Sequence, residues 1–303
     1  MTVHSLTDLA SRDLLDAGHS KPARLAVIGH PVAHSASPRM HQPALDEAGI
    51  DARYIALDIE PGQVAEAFKR MRELGFIGCN VTVPHKFDAL AACDEIDDAA
   101  RTLGAVNTVR FDDDATRGSN TDGYGFEHAV KESLNFDLAG KSVLIVGAGG
   151  GAGGAIAAHC VRSDVARLIL VNRTLSKIES LAERLTSDKT EIITLSSESM
   201  TEPSSIALAH SSDLLVNTAS LGLKEGDPSP LPEACFTSRH FVFDTIYSPP
   251  VTSFIRAGRA VEARTANGAG MLLHQGVRAF EIWFPGSTPT EAMRQGLSSA
   301  QTS

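Results

Sequence analysis

An apolar strand that runs straight into a block of glycines and then into an apolar helix constrains this chain more than any other feature. Ser142-Val-Leu-Ile-Val146 is a continuous apolar run, the pattern of a strand covered on both faces. Gly147-Ala-Gly-Gly-Gly-Ala-Gly-Gly154 follows, and then a helical stretch through Val161. Glycines permit a tight turn and let backbone N–H groups come close to a pyrophosphate, and a helix N-terminus adds the positive end of its dipole. The G-x-G-x-x-G/A spacing is met twice, by Gly147, Gly149 and Ala152 and by Gly149, Gly151 and Gly154. The first register is preferred because it begins at the strand end.

The end of the next strand separates the two dinucleotide cofactors. Arg167-Leu-Ile-Leu-Val171 leads into Asn172-Arg173-Thr174, with Lys177 a turn later. An NAD site usually places a carboxylate there to accept from the ribose 2′-hydroxyl. Here a carboxylate is missing and two cations are present. Arg173 can pair with a 2′-phosphate, so the pattern points to NADP. The plain alternative leaves Arg173 and Lys177 as solvated surface charges.

Around this block the sequence alternates strands and helices, which implies a mostly parallel α/β architecture. Strands are expected at Leu25–Ile28, Tyr54–Ile59, Phe76–Val83 and Thr108–Phe111. Helices are expected from Ser37 to Gly49, from Pro61 to Leu74, and around Phe87–Cys93 and Asp97–Leu103. Ser37 serves as N-cap before Pro38 in this reading. The series restarts with a helix at Asp122–Leu134 and ends on a helix from Gly270 to Phe284. The 303 residues are enough for two domains. Residues 1–22 are polar and weakly patterned and read as an appendage carrying at most one short helix.

Composition narrows the partners. A net charge of −10 argues against general nucleic-acid binding. The chain has no apolar run long enough to span a bilayer, and its acidic N-terminal stretch is unlike a signal or transit peptide. Cys79, Cys93, Cys160 and Cys235 lack C-x-x-C pairing and read as reduced thiols of a cytoplasmic protein.

Three further segments carry chemistry. In Gly29-His-Pro-Val-Ala-His34-Ser35-Ala-Ser37-Pro38, two hydroxyls at i and i+2 can converge on one carboxylate. His30, His34 and His41 have no acidic partner at metal-ligand spacing, so no metal is expected. Asn80-Val-Thr82-Val-Pro84-His85-Lys86 delivers polar residues to a strand's C-terminal end, where open α/β sheets carry ligands, and makes Lys86 a candidate general acid/base. Gly118-Ser-Asn120-Thr121-Asp122-Gly123 supplies Asp122, which can orient Lys86 and favour its protonated form.

Together the H-S-x-S-P, N-V-T-V-P-x-K, A-V-N-T, N-T-D-G, G-A-G-G, N-R-T and G-x-G-M-L-x-x-Q segments, in this order from about Ala26 to Phe284, resemble the shikimate dehydrogenase family. The resemblance implies NADPH-dependent reduction of 3-dehydroshikimate to shikimate, on the route to chorismate and the aromatic amino acids. It implies that Ser35 and Ser37 hold the substrate carboxylate. Thr82, Asn107 and Asp122 hold its hydroxyls, with Lys86 beside them and with Tyr247 and Gln275 also at the substrate. Lys86 donates the proton and Asp122 keeps it charged and placed. Gly147, Ala148, Gly149, Gly150 and Gly151 wrap the pyrophosphate. Asn172, Arg173, Thr174 and Lys177 take the adenosine end, and Thr218, Thr245, Gly268 and Met271 line the nicotinamide end.

The family's layout implies a discontinuous substrate domain, residues 23–122 plus 267–303, and an inserted Rossmann domain for NADP at 123–266. The expected partners are shikimate and 3-dehydroshikimate, with no nucleic acid and no membrane, in a monomer or homodimer. One departure stands out: Gly153 replaces the family's usual Arg, which removes a cation near the cofactor. The intact Ser-x-Ser favours shikimate over quinate. The alternatives are a quinate/shikimate dehydrogenase, a shikimate-dehydrogenase-like paralogue with slow turnover, or a catalytically silent NADPH-binding regulator, which would lack Lys86 or Asp122.

Overall fold

The structure is a computed structural model that describes residues 2–298. Met1 of the appendage and residues 299–303 of the expected substrate domain lie outside the described residues. The chain forms two compact units, Met1–Thr121 with Gln275–Ser303, and Asp122–His274.

The first unit is built on strands β1 (Val3–Ser5), β2 (Ala23–Gly29), β3 (Arg53–Asp58), β4 (Gly78–Val81), β5 (Glu95–Ile96), β6 (Thr108–Phe111) and β7 (Thr116–Ser119). Their spatial order is β1-β3-β2-β4-β6-β7-β5. Helices α1 (Arg12–Asp16), α2 (Ser37–Glu47), α3 (Val64–Glu73), α4 (Lys86–Ala91) and α5 (Asp98–Leu103) connect them. The β1–β3, β3–β2, β2–β4 and β5–β7 pairings are parallel, whereas β6 runs antiparallel to both β4 and β7. A hairpin at Asp112–Asp114 causes the reversal, and Asp112 fixes it by accepting from Arg110 at 2.7 Å and Arg117 at 2.8 Å.

Residues 1–22 are not an appendage. Val3 pairs with Ala56, so β1 covers the edge of β3 and removes a row of unpaired backbone groups. Leu9 and Leu15 behind it join the core of Ile28, Leu57, Phe68 and Met71. Arg53 Nη2 donates to the Leu15 carbonyl at 2.7 Å and to Asp16 at 2.9 Å. The first twenty residues thus supply buried apolar surface as well as a strand.

The second unit holds β8 (Ser142–Val146), β9 (Arg167–Asn172), β10 (Glu191–Ser196), β11 (Leu214–Asn217), β12 (Phe241–Asp244) and β13 (Arg264–Asn267), with helices α6 (Asp122–Leu134), α7 (Gly151–Arg162), α8 (Leu175–Arg184), α9 (Pro203–His210) and α10 (Ser253–Ala260). The sheet is wholly parallel and ordered β10-β9-β8-β11-β12-β13. That is the 3-2-1-4-5-6 order of a dinucleotide-binding fold, with its reversal between β8 and β11. Helix α11 (Ala269–Trp283) returns the chain to the first unit, where α12 (Thr290–Ser298) packs on α2.

The return junction falls after His274, later than residue 267. Strand β13 is paired to β12, and the first turns of α11 lie on α6. Gly270 faces Ala129, and His274 Nε2 is 2.8 Å from Glu132. All four cysteines are free thiols. Among the described residues no helix is long and apolar enough to cross a membrane.

Candidate active site

In the first unit the chain runs from β2 to β3 on one side and then crosses back to β4 on the other side of β2, so a crevice opens at the carboxyl ends of β2 and β4. The loops that leave those ends are stitched together. Thr82 N donates to the Ile28 carbonyl at 2.9 Å and His30 N to the Val83 carbonyl at 3.1 Å. Gly29 needs to be glycine: a Cβ there would lie 2.5 Å from Thr82 Cγ2.

Lys86 opens α4 just past this end, and its carbonyl accepts from Val106 N at 2.9 Å. Because β6 is antiparallel, Asn107 enters at the same end, with its carbonyl accepting from Val81 N at 2.7 Å. Asn107 Oδ1 accepts from Thr121 N and from Thr108 Oγ1, both at 2.9 Å, and Nδ2 donates to Thr121 Oγ1 at 3.1 Å. Thr82, Lys86 and Asn107, distant in sequence, are therefore collected at one sheet end.

Ser35 and Ser37 sit in the loop that enters α2, but Ser37 is not the cap. It is the first helical residue, and Ala36 occupies the cap position. Ser35 Oγ accepts from Ser37 N at 3.3 Å, which takes over part of the capping. The Ser37 side chain is buried. Gln275 lies on α11 beside Gly276, which packs against Met40 and His41 of the same α2.

The three histidines of the segment have three separate fates. His30 Nδ1 pairs with Asp58 at 2.6 Å, and that hydrogen bond raises its pKa. His34 is exposed. His41 is buried against Tyr54, with ring centroids 4.5 Å apart. Among the described residues no cluster of His, Cys, Asp or Glu could hold a metal.

In the second unit the glycine block forms the tight turn between β8 and α7. Gly147 has φ +82° and lies against the Ala219 backbone, where a Cβ would meet the amide nitrogen at 2.5 Å. Gly149 faces Asn172 Nδ2 and Lys177 Cβ, at 2.8 Å and 3.2 Å from an ideal Cβ. Gly150 caps α7 in extended conformation without a side-chain bond, which leaves the helix's first N–H groups for an anion. Close packing of the helix start falls at Gly153, one residue after Ala152. A Cβ on Gly153 would lie 2.6 Å from Thr218 Oγ1 and 2.7 Å from the Gly147 carbonyl. Gly153 is thus a packing requirement of this loop, which has no space for the family's Arg.

Arg173 and Lys177 are exposed at the carboxyl end of β9, and Asn172 Nδ2 donates to the Thr174 carbonyl at 2.9 Å. Thr218 Oγ1 donates to the Val146 carbonyl at 2.7 Å, which ties the end of β11 to the end of β8. Thr245 Oγ1 donates to the Asn217 carbonyl at 2.9 Å, and Gly268 backs onto Thr245 with no room for a side chain. Met271 is buried on the first turn of α11. These residues fit a dinucleotide: a backbone cradle at the α7 N-terminus, and cations where a 2′-phosphate would lie.

Asp122 and Tyr247 also belong to this unit, whereas Lys86 belongs to the first. Asp122 is buried at the start of α6. The glycine after it allows α7 to come close, because His159 Cβ stands 2.6 Å from where a Gly123 Cβ would be. His159 Nε2 is held 2.8 Å from Glu127. Tyr247 follows β12 and is half-buried.

Sequence reasoning passed over several supporting residues. Asp244 is buried and accepts from Asn217 Nδ2 at 3.0 Å, Ile246 N at 3.0 Å and Thr252 Oγ1 at 2.5 Å, which shapes the loop carrying Thr245 and Tyr247. Burial raises its pKa against those donors. Its signal was a carboxylate closing an apolar strand. Tyr54 gave no local signal, since its role depends on which strands lie beside it.

Comparison with known proteins agrees with this geometry. Residues 27–109 match the shikimate dehydrogenase substrate binding domain, 128–214 the shikimate / quinate 5-dehydrogenase family and 268–296 the shikimate 5′-dehydrogenase C-terminal domain. A shikimate dehydrogenase (NADP(+)) of Symbiobacterium thermophilum is 39% identical over 272 residues, covering 89% of this chain and 92% of that one. The crystal structure of shikimate 5-dehydrogenase from Thermus thermophilus, in complex with NADP(H) and shikimate, is similar with a TM-score of 0.81 and 33% identity. It covers 92% of this chain and 99% of that one. Quinate dehydrogenase from Corynebacterium glutamicum, in complex with NAD, has a TM-score of 0.80 at 29% identity, covering 91% and 98%. With these matches spanning both units, the chain belongs to the shikimate dehydrogenase family.

Proposed function

We propose that this chain is an NADP-dependent shikimate dehydrogenase, which reversibly reduces 3-dehydroshikimate to shikimate on the way to chorismate and the aromatic amino acids. The observation that carries the reading is the gathering of Thr82, Lys86 and Asn107 at the sheet end that also bears Ser35 and Ser37. The exposed Arg173, with no carboxylate at the end of β9, supports NADP as the cofactor. In this reading the first unit, with the end of α11, binds substrate, and the second binds cofactor. The protein works in the cytoplasm as a monomer or homodimer.

NADPH, held by Gly147–Gly151 and by Asn172, Arg173, Thr174 and Lys177, would supply hydride for the carbonyl carbon, and NADP would accept it in reverse. Ser35 and Ser37 hold the carboxylate, and Thr82, Asn107 and Asp122 hold the ring hydroxyls, with Tyr247 and Gln275 completing the orientation. Negative charge builds on the carbonyl oxygen as hydride arrives. The Lys86 ammonium stabilises that charge more in the transition state than in the ground state, and its Nζ gives up the proton. Asp122 acts with Lys86 as one catalytic pair. Presence of both residues disfavours a silent regulator, and the intact Ser-x-Ser favours shikimate over quinate.

Lys86→Ala tests the role directly. The expected result is a fall in kcat of roughly 10²–10⁴-fold with folding and NADPH binding intact. Asp122→Asn also lowers kcat, and the double variant loses less than the product of the two. A raised KM with unchanged kcat at saturating shikimate would make Lys86 an anchor and contradict the proton-transfer role.

A further inference from the structure

A buried chain of hydrogen bonds runs beneath the first unit's crevice. Tyr54, on β3, is fixed on three sides. Its backbone N donates to Gln42 Oε1 at 2.9 Å, its ring stacks on His41 with planes 6° apart, and Trp283 packs against both rings, 6.2 Å from Tyr54 and 5.4 Å from His41. Its hydroxyl donates to Asn80 Oδ1 at 2.6 Å. Asn80 Nδ2 then donates to Thr108 Oγ1 at 3.3 Å, and Thr108 Oγ1 to Asn107 Oδ1 at 2.9 Å. The donors all point one way, from Tyr54 through Asn80 and Thr108 to Asn107. Tyr54, Asn80, Thr108 and Asn107 are at most 5% exposed, so water does not offer substitute partners.

We propose that Tyr54 is a positioning residue for substrate binding: its hydroxyl sets the Asn80 amide and, through Thr108, the orientation of Asn107. The inference rests on the reading of Asn107 as a substrate-binding group. Reversing the Asn80 amide would leave its NH₂ facing the Tyr54 hydroxyl hydrogen and its oxygen facing Thr108 Oγ1, whose one hydrogen is given to Asn107 Oδ1, so the tyrosine hydroxyl favours this direction of the relay. The outcome at Asn107 is an oxygen already satisfied by Thr108 and Thr121 and an NH₂ oriented toward Thr121.

The test is a double-mutant cycle on the full-length enzyme. Tyr54→Phe keeps the ring and its stacking and removes only the hydroxyl. The expected result is a KM for shikimate raised about tenfold, with kcat at saturating substrate and the Kd for NADPH little changed. A purely structural role would lower the unfolding midpoint and leave KM alone. Thr108→Val raises KM too, and in the Tyr54→Phe background it costs less than it does alone, because both break one relay. Unchanged KM in Tyr54→Phe, or effects that multiply independently, overturns the proposal while leaving Asn107 as a substrate ligand. Asn107→Ala without any effect on KM removes that reading and the proposal together. If Tyr54→Phe does not fold, Thr108→Val breaks the same relay further along and is expected to raise KM in the same way; an unchanged KM there overturns the proposal.

Discussion

Arg173 and Ser37 show what a single residue does and does not reveal in a sequence. Arg173 was legible because its position relative to the glycine block is dictated by the βαβ path, and the structure leaves it exposed at the end of β9. Arg173→Ala is expected to weaken NADP binding roughly ten- to a hundredfold, the loss of one charged contact, and to leave NAD nearly unchanged. Titration of both cofactors checks this, and an equal loss for both would contradict the 2′-phosphate assignment. Ser37 was legible as a hydroxyl at a helix start but not as a buried one. Ser-Pro at a helix start reads as an N-cap, yet the cap position moves to Ala36 and Ser37 is buried as the first helical residue. Local propensity cannot register burial that only tertiary packing supplies.

Among the elements, β8, the glycine turn and α7 were plain from sequence because each step is enforced locally: a doubly covered strand, a positive φ at Gly147, an uncapped helix start. Strands β1, β5 and β7 were not. They are short, and Thr116-Arg-Gly-Ser119 contains no large apolar residue; pairing with neighbours, not periodicity, makes it a strand. The acidic turn Asp112–Asp114 after β6 was legible, but not that β6 runs antiparallel to β4, which brings Asn107 to the site end. The glycine loop also carries a test at this scale. Gly153→Ala improves helix propensity by about 1 kcal/mol, but its methyl group must push Thr218 and the Gly147 turn apart, which costs about 1–3 kcal/mol. The expected outcome is a lower unfolding temperature and weaker NADPH binding. A higher unfolding temperature with unchanged Kd would show that the loop has slack at Gly153.

Taken whole, the molecule is two compact α/β units, each with its own sheet, and the restart of the alternation at Asp122 made that division visible in sequence. The return point within α11 was not, since a continuous helix gives no sign of the unit it packs on. Buried histidines give the fold a pH dependence. Burial lowers the pKa of His41 from 6.5 to about 3. Between those values the unfolded chain holds a proton that the folded chain does not. Stability from His41 is therefore fully present above 6.5 and falls as pH drops toward about 3, by up to about 1.4 kcal/mol per pH unit. Burial shifts His4, His159 and His240 the same way. Urea midpoints measured across this window should fall with pH, and His41→Phe should flatten the slope; a wild-type midpoint constant across the window would contradict the neutral burial of His41. The central claim, the reaction itself, is tested most directly by initial rates of the purified protein with shikimate and with quinate, each with NADP and with NAD. The account expects shikimate with NADP to exceed the other three combinations in kcat/KM. Dominant turnover of quinate with NAD, or no turnover of shikimate with NADP, would contradict it.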